Sequence, residues 1–143
     1  MIRWPLMGLA AALGVSAVAL ASPAQDYALH CMGCHGATAA GVPGKVPPLA
    51  ATLVQFMRSP AGRSYVLRVP GASNSVLTDV QLAEVLNWIA GQFGGDQVTA
   101  LPAPFTAQEV AAHRHTPMAG VLATRREVVR ELVASGAALS EDY

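Results

Sequence analysis

Cys31-Met32-Gly33-Cys34-His35 is the stretch of sequence that decides what this chain folds around. C-x-x-C-H is the attachment signature of c-type haem. Cysteines three residues apart lie on one side of a helical turn, so their sulfur atoms can reach two vinyl groups on one porphyrin edge. The adjacent histidine then lies under the ring, where an imidazole nitrogen can bind iron. The motif predicts one covalent haem c, with Cys31 and Cys34 as thioether positions and His35 as the proximal iron ligand.

Three other uses of the two cysteines explain the sequence less well. A thioredoxin-like dithiol would follow a strand in a βαβ pattern, which the sequence does not show. A structural zinc site needs four ligands, and the chain has no second pair of cysteines. A plain disulfide accounts for neither His35 nor the glycine after it.

The segment from Ala24 to Phe93 resembles the class I cytochrome c family. Tyr27 lies four residues before Cys31, where the family carries an aromatic residue on a short N-terminal helix. Leu77-Thr78-Asp79 is similar to the opening of the family's C-terminal helix. The resemblance implies a small all-α domain around one haem.

Pro47-Pro48-Leu49 is similar to the family's P-x-L motif. In the family, the carbonyl of that proline accepts a hydrogen bond from the proximal histidine. The resemblance therefore implies that the Pro47 carbonyl orients the ring of His35, a contact that also tunes the metal.

The sixth iron ligand is where the chain departs from the family, because Val69 occupies the position expected for a methionine. Met57 is the nearest methionine downstream of the motif and is the distal ligand that we predict first, with core packing as its other interpretation. The remaining candidates are His113, His115, Met118, Asn74 and no protein ligand at all.

Helical periodicity agrees with an all-α fold. Thr78 and Gln81 form a capping box, and the residues after them place Leu82, Val85, Leu86 and Ile89 on one apolar face. This helix should end at Gly91 or at Gly94-Gly95, with Trp88 packed against the N-terminal helix. A further helix is predicted from Leu49 to Met57, ended by Ser59-Pro60.

The sequence after this domain reads as a helical appendage. Residues 22–95 are assigned to the cytochrome c domain, 96–105 to a linker and 106–143 to a C-terminal extension. In the extension, Thr106 and Glu109 predict a capping box for a helix that runs to about His115. A last helix is predicted from Ala119 to Ser135, stopped by Gly136. The residues predicted for its apolar face are Val121, Leu122, Val128, Val129, Leu132 and Val133.

Residues 1–21 have the three parts of an export signal: Arg3, an uncharged apolar run from Leu6 to Ala21, and a final Ala-Leu-Ala. The sixteen residues of the run fall short of the roughly 20 that cross a bilayer. We therefore expect cleavage after Ala21, a periplasmic product and no stable membrane span in the mature chain.

Charge argues against nucleic acid as a partner, because nine Lys+Arg balance nine Asp+Glu. Lys45, Arg58, Arg63 and Arg68 lie in an interval with no acidic residue. Two interpretations remain for these four: a basic collar that steers an acidic redox partner, or scattered surface charges without a joint role.

The sequence favours a periplasmic electron-transfer cytochrome that passes single electrons between a dehydrogenase and a downstream oxidase or cytochrome, free or as a dedicated dehydrogenase subunit. It predicts no catalysis by the polypeptide itself. An open-coordinate haem protein for gas sensing or peroxide chemistry is the alternative that the missing methionine raises. A protein in which haem is only structural is the third.

Overall fold

A computed structural model describes residues 21–142 of the chain, so the predicted signal sequence lies outside the described residues except for Ala21. Within residues 21–142 the regular structure is helical, with no strand and one isolated bridge between Val42 and Val46. The predicted all-α class is confirmed. The helices are α1 (Pro23–His30), α2 (Met32–His35), α3 (Leu53–Phe56), α4 (Pro60–Arg68), α5 (Pro70–Ser73), α6 (Asp79–Phe93), a 3₁₀ helix (Gly95–Ala100), α7 (Ala107–His113) and α8 (Val121–Ala134).

Helices α1 and α6 pack against each other through aromatic side chains. Tyr27 of α1 lies with its ring centroid 5.5 Å from that of Trp88 and 5.4 Å from that of Phe93. This confirms the predicted packing of Trp88 on the N-terminal helix. The Tyr27 hydroxyl also donates a 2.5 Å hydrogen bond to the Gly36 carbonyl, which ties α1 to the end of α2. The haem motif is thereby fixed to the core.

Helix α6 begins and ends close to where the sequence places its boundaries. The Thr78 side chain accepts from the Gln81 amide and the Gln81 side chain accepts from the Thr78 amide, which is the predicted capping box. The helix ends at Phe93, and Gly94 caps it. All four residues of the predicted apolar face are buried, with Leu82, Val85, Leu86 and Ile89 each no more than 7% exposed.

The segment from Leu49 to Pro60 differs from its prediction. Only Leu53–Phe56 forms a helix there, because the chain turns through Ala51 at a φ of 58° before the helix begins. Ser59 and Pro60 then open α4: the Ser59 hydroxyl accepts from the Gly62 amide, and the proline stands in the first turn. Pro is favoured there because it has no N–H to leave unpaired.

The C-terminal extension packs on its own domain. Phe56 and Tyr65 form a second core cluster with Val128, Val129 and Leu132 of α8. The predicted apolar face of α8 is wrong at two positions, since Leu122 and Val133 are 57% and 46% exposed. Arg125 is buried instead, at 4% exposure, because main-chain carbonyls of the C-terminal tail accept from its guanidinium.

Arginines of the interval between the haem motif and α6 hold this extension in place. Arg63 pairs with Glu109 through two 2.6 Å contacts and donates to the carbonyl of Ala103 at 2.7 Å. Arg68 donates to the Thr116 carbonyl, and Arg58 to that of Ala100. Neither interpretation of the basic interval anticipated this use: Arg58 and Arg63 bind residues 96–105, and Arg63 and Arg68 bind the extension.

Part of the segment 96–105, which is predicted as a linker, is helical. The 3₁₀ helix covers Gly95–Ala100, and Phe105 is 3% exposed. Asn87 of α6 holds Phe105 at both main-chain groups, accepting from its amide at 2.8 Å and donating to its carbonyl at 2.9 Å. No helix in the described part of the chain is long and apolar enough to cross a membrane.

Candidate haem site

The Cys-x-x-Cys-His motif lies on the short helix α2, directly after α1. The amides of Cys34 and His35 both donate to the Cys31 carbonyl, at 3.2 and 3.0 Å, which winds the motif into one turn. Gly36 ends the turn at a φ of 76°. The two cysteines are not joined by a disulfide; Cys31 is half-buried and Cys34 exposed. Burial is the main cause that raises the pKa of the Cys31 thiol.

His35 is held by a main-chain carbonyl of a distant loop. Its Nδ1 donates to the carbonyl oxygen of Pro47 at 3.0 Å, so Nε2 is the ring nitrogen left to bind a metal. Partial burial lowers the pKa of the imidazole, and the bond to Pro47 offsets part of that shift. The lowered pKa favours the neutral imidazole, which is the form that ligates iron.

The loop between Gly36 and Leu49 positions the Pro47 carbonyl. The Gly41 amide donates to the His35 carbonyl at 2.9 Å, and Val42 and Val46 exchange two 2.8 Å main-chain bonds. A Cβ at Gly41 would lie 2.3 Å from the Val46 oxygen and 2.7 Å from that of Pro47. Gly41 therefore allows the close approach that brings the loop back to His35.

A cleft of about 310 Å³ opens beside His35. The haem motif, the 45–49 segment and helices α3, α4, α5 and α8 all contribute to its walls. The residues that line it are Cys34, His35, Lys45, Val46, Pro47, Pro48, Leu49, Thr52, Leu53, Phe56, Tyr65, Val66, Val69, Pro70, Gly71, Val121 and Arg125. Most of these side chains are apolar, and the Cys34 thiol and the His35 imidazole are also part of the lining. Two thiols, an imidazole with Nε2 uncommitted and an apolar cleft are the donor set and surroundings that fit haem c.

The structure does not bring the candidate distal ligands to this cleft. Met57 is 3% exposed and packs in the main core cluster. Met118 packs against the second cluster, and with Asn74 and His115 it lines a surface depression that adjoins the cleft at Pro70 and Val121. His113 is half-buried at the end of α7 and is also absent from the cleft lining. Val69, at the position expected for the methionine, does line the cleft.

Sequence reasoning missed the part of the cleft that α4 and α8 supply. Tyr65 and Val66 come from α4, whose Ser-Pro start was interpreted only as the end of the preceding helix. Val121 and Arg125 come from the extension. The one sequence signal for the role of Arg125 is its position, because it lies on the face of α8 that is otherwise predicted to be apolar.

The helical fold, the motif and the His35–Pro47 contact together define a c-type haem protein. The chain is 34% identical over 137 residues to a cytochrome c-552 of Thermus thermophilus, covering 81% of this chain and 91% of the relative. A second cytochrome c-552 of Thermus thermophilus is 33% identical over 129 residues, covering 76% and 97%. No profile of a known protein family matches the chain. The chain belongs to the cytochrome c-552 group of monohaem c-type cytochromes, and it carries covalent haem c with iron.

The likeness to these relatives reaches into the C-terminal extension. A match covering 81% of 143 residues spans about 116 residues, and only 105 residues precede Thr106. At least part of the extension is therefore shared with the first of the two relatives. The likeness to this relative therefore extends beyond residues 24–93, which carry the motifs.

Proposed function

We propose that this protein is exported to the periplasm, where it passes single electrons from a dehydrogenase to a downstream oxidase or cytochrome. The observation that carries the proposal is the hydrogen bond of His35 to Pro47 at the edge of a cleft that also includes Cys34. A fixed imidazole beside an attachment cysteine prepares one iron ligand in advance. The relatives' name, cytochrome c-552, supports the same class of activity.

Each residue of the site has a separate task in this proposal. Cys31 and Cys34 hold the haem through thioether bonds, His35 binds the iron through Nε2, and the Pro47 carbonyl fixes the imidazole ring. The bound haem supplies a one-electron couple. The chain's own residues set its surroundings: the apolar wall of α3 and α4 excludes water from the cleft, and a lower local dielectric strengthens every electrostatic contact within it.

The attachment side of the cleft lies at the protein surface. Cys34 is exposed, and Met32 between the two cysteines is 39% exposed. A redox partner can therefore approach this side without any rearrangement of the core. Carriers that exchange electrons with several partners use small, transient interfaces, and an exposed edge of this kind suits one. A dedicated dehydrogenase subunit would have the outer face of α8 available for a permanent contact, since Leu122 is 57% exposed.

The start of the folded domain supports export with cleavage after Ala21. Ser22 caps α1: its hydroxyl accepts from the Gln25 amide, and its own amide donates to the Gln25 side chain at 2.8 Å. The N-cap of α1 is thus the residue that directly follows the predicted cleavage point. N-terminal sequencing of the protein from the periplasmic fraction tests this: we expect Ser22 first, and an intact residue 1 contradicts export with processing.

Electron transfer is tested by mixing the exported protein first with a fraction that contains an electron donor and then with one that contains an electron acceptor. A periplasmic extract with an oxidisable substrate should reduce the haem, and a membrane fraction with oxidase activity should reoxidise it. The His35→Ala variant serves as the control, because it lacks the proximal ligand. Reduction by dithionite without turnover by either fraction would contradict the carrier role.

An open-coordinate haem, for gas sensing or peroxide chemistry, is the second candidate. One observation favours it: His35 is the only imidazole and Cys34 the only sulfur side chain among the described residues that line the cleft. Peroxide chemistry would also need an acid–base group over the iron, and the histidines of the extension do not line the cleft. Carbon monoxide distinguishes the candidates, since it shifts the spectrum of an open ferrous haem and leaves a filled one unchanged.

A further inference from the structure

We infer that Arg114 of the C-terminal extension is a positioning residue for the haem cleft. It holds the segment 72–77, which keeps the cleft wall formed by residues 69–71 in place, and it thereby raises the reduction potential of the haem. The inference rests on the proposed haem site. It gives the extension a part in setting the redox property of the protein as well as in packing.

The segment that Arg114 binds follows directly on one wall of the cleft. Val69, Pro70 and Gly71 line the cleft, and helix α5, which begins at Pro70, is only four residues long. Between Ser73, the last residue of α5, and Asp79, the first residue of α6, the chain forms neither helix nor strand. A single helical turn is not stable by itself, so this wall needs support from elsewhere in the fold.

Arg114 supplies that support from the end of α7, where it is only 5% exposed. Its Nη2 donates to the carbonyl oxygens of Ser75 at 2.7 Å and Ala72 at 3.4 Å. Its Nη1 donates to the carbonyl oxygen of Leu77 at 2.8 Å and to Oδ1 of Asp79 at 2.9 Å. One buried guanidinium thus binds the segment at three carbonyl groups, which lie 37 to 42 residues earlier in the chain.

These bonds depend on the shape of the guanidinium as well as on its charge. The Nε of Arg114 is buried and has no hydrogen-bond partner among the described residues, so the two Nη atoms hold the segment. A lysine carries a compact ammonium on a flexible stem and lacks the planar fork that reaches both groups of acceptors. Arg114→Lys therefore keeps the charge and loses the double contact.

The elements on either side of this contact are secured without Arg114. The capping box of Thr78 and Gln81 begins α6. Helix α7 is anchored by Val110, which is completely buried, and by the ion pair of Glu109 with α4. What the bonds of Arg114 add is therefore the position of the segment between the cleft wall and α6.

The position of this wall affects the haem through water. Solvent exposure and the surrounding dielectric are among the properties that set the potential of a haem. A charge is less stable in an apolar medium than in water. Because oxidation adds one positive charge to the haem, a closed and dry cleft favours the reduced form and raises the potential. Release of the segment 72–77 should admit water and lower it.

The test measures the midpoint potential of holo-protein purified after export, with the covalent haem content of each sample taken from its pyridine haemochrome. The variants are Arg114→Gln, which removes the charge and the fork, and Arg114→Lys, which keeps the charge. Glu109→Gln is the matched control, since it breaks the other ion pair of α7 and Glu109 does not line the cleft. Amide hydrogen exchange of the same samples, measured by mass spectrometry, reports the opening of the segment 72–77.

We expect a lower midpoint potential in both Arg114 variants and a potential close to that of the wild type in Glu109→Gln. The lysine variant separates positioning from charge, because a pure charge effect would disappear in it. Exchange of the amides in the segment 72–77 should become about tenfold faster or more in both Arg114 variants, as expected for the loss of one charged hydrogen bond. A residue with only a stabilising role would lower the melting temperature and leave the potential unchanged.

Two results would overturn the inference: folded Arg114 variants that both keep the wild-type potential, or a wild-type potential in Arg114→Lys alone, which would assign the effect to charge. Either result in a sample with full haem content and reversible reduction leaves the proposed carrier intact. Absence of covalent haem in the wild type overturns the proposed function itself.

If neither Arg114 variant folds, hydrogen exchange of the wild type decides the matter. The amides of Ala72, Ser73 and Asn74 all donate to main-chain carbonyls, as does the amide of Arg114 at the end of α7. We expect the three to be protected about as well as that of Arg114, because its side chain joins the two segments. Rapid exchange of the three in folded wild-type protein would overturn the inference.

Discussion

His35 and Pro47 are joined by a 3.0 Å hydrogen bond across twelve residues of sequence. The bond runs from Nδ1 of the imidazole to a carbonyl that the loop from Gly36 to Leu49 returns to the haem motif. It fixes which ring nitrogen is available for iron, so the loop is as much a part of the site as the motif.

The proximal ligand is tested by His35→Ala. We expect the variant to lose stable haem and most of its folded population, since a bound cofactor stabilises the folded state by mass action and forms much of the core of so small a domain. Soret absorbance and a thermal melt measure the two effects. His30→Ala is the control, because His30 is exposed one residue before the motif. A haem-free His35→Ala chain with an intact cooperative melt would disprove the expectation.

The loop is tested by Gly41→Ala. Gly41 has a φ of 68°, and an added Cβ would lie 2.3 Å from the Val46 oxygen and 2.7 Å from the Pro47 oxygen. We expect a loss of about 1–3 kcal/mol in the free energy of unfolding and a shifted Soret band, because the strain reaches the acceptor of His35. Denaturant unfolding and the absorbance spectrum measure both.

Gly33→Ala is the matched control for the loop, since a Cβ at Gly33 meets no atom within 4 Å. It lies between the two cysteines and should leave both stability and spectrum close to the wild type. Equal effects of the two substitutions would show that the close approach at Gly41 does not matter.

Substitutions at Met57 distinguish its two possible roles, core packing and iron ligation. We expect Met57→Leu to leave the oxidised and reduced spectra unchanged and to cost less than about 1.5 kcal/mol, because the volume is conserved. Met57→Ala should cost about 2–5 kcal/mol through the cavity it leaves, again without a ligand change. A high-spin spectrum or a large fall in potential in Met57→Leu would instead identify Met57 as the sixth ligand.

The ion pair of Glu109 with Arg63 gives stability a pH dependence. The hydrogen bond from Arg63 is the main cause that lowers the pKa of Glu109, and the two side chains are 23% and 16% exposed. A lowered folded-state pKa stabilises the fold at pH values above the unfolded-state pKa of about 4.3. That contribution is lost as the pH falls through the folded-state value.

Glu109→Gln should therefore reduce the free energy of unfolding by about 1–2 kcal/mol at pH 7. The difference from the wild type should shrink as the pH falls from the unfolded-state pKa of about 4.3 through the lowered folded-state pKa of Glu109. Denaturant unfolding at several pH values measures it, with Glu127→Gln on the exposed face of α8 as control. A difference that stays constant down to low pH would contradict a role for the Glu109 charge.

Sequence reasoning correctly predicted those parts of the fold that depend on local patterns. The Thr78–Gln81 capping box and the apolar spacing of α6 are properties of adjacent residues, and both are as predicted. Thr106 caps α7 by accepting from the Glu109 amide, but the Glu109 side chain binds Arg63 instead of completing the box. That competition arises from a residue 46 positions away, which no local pattern contains.

The wall of the cleft was not predictable for the same reason. Arg125 interrupts an apolar helix face, and a local pattern places such a residue at the surface. The tail folds back so that its carbonyls accept from the guanidinium, and only this long-range contact makes the burial of Arg125 favourable. Leu122 is exposed because it does not lie on the face of α8 that packs against Phe56 and Tyr65.

A spectroelectrochemical titration of the exported protein, after extraction with acidified acetone to remove any non-covalent haem, tests the haem assignment most directly. We predict that the haem remains with the protein, that one electron per chain reduces it reversibly, and that Cys34→Ala lowers its retention. Haem that is extracted completely, or a chain without a Soret band, would contradict the assignment of Cys31, Cys34 and His35.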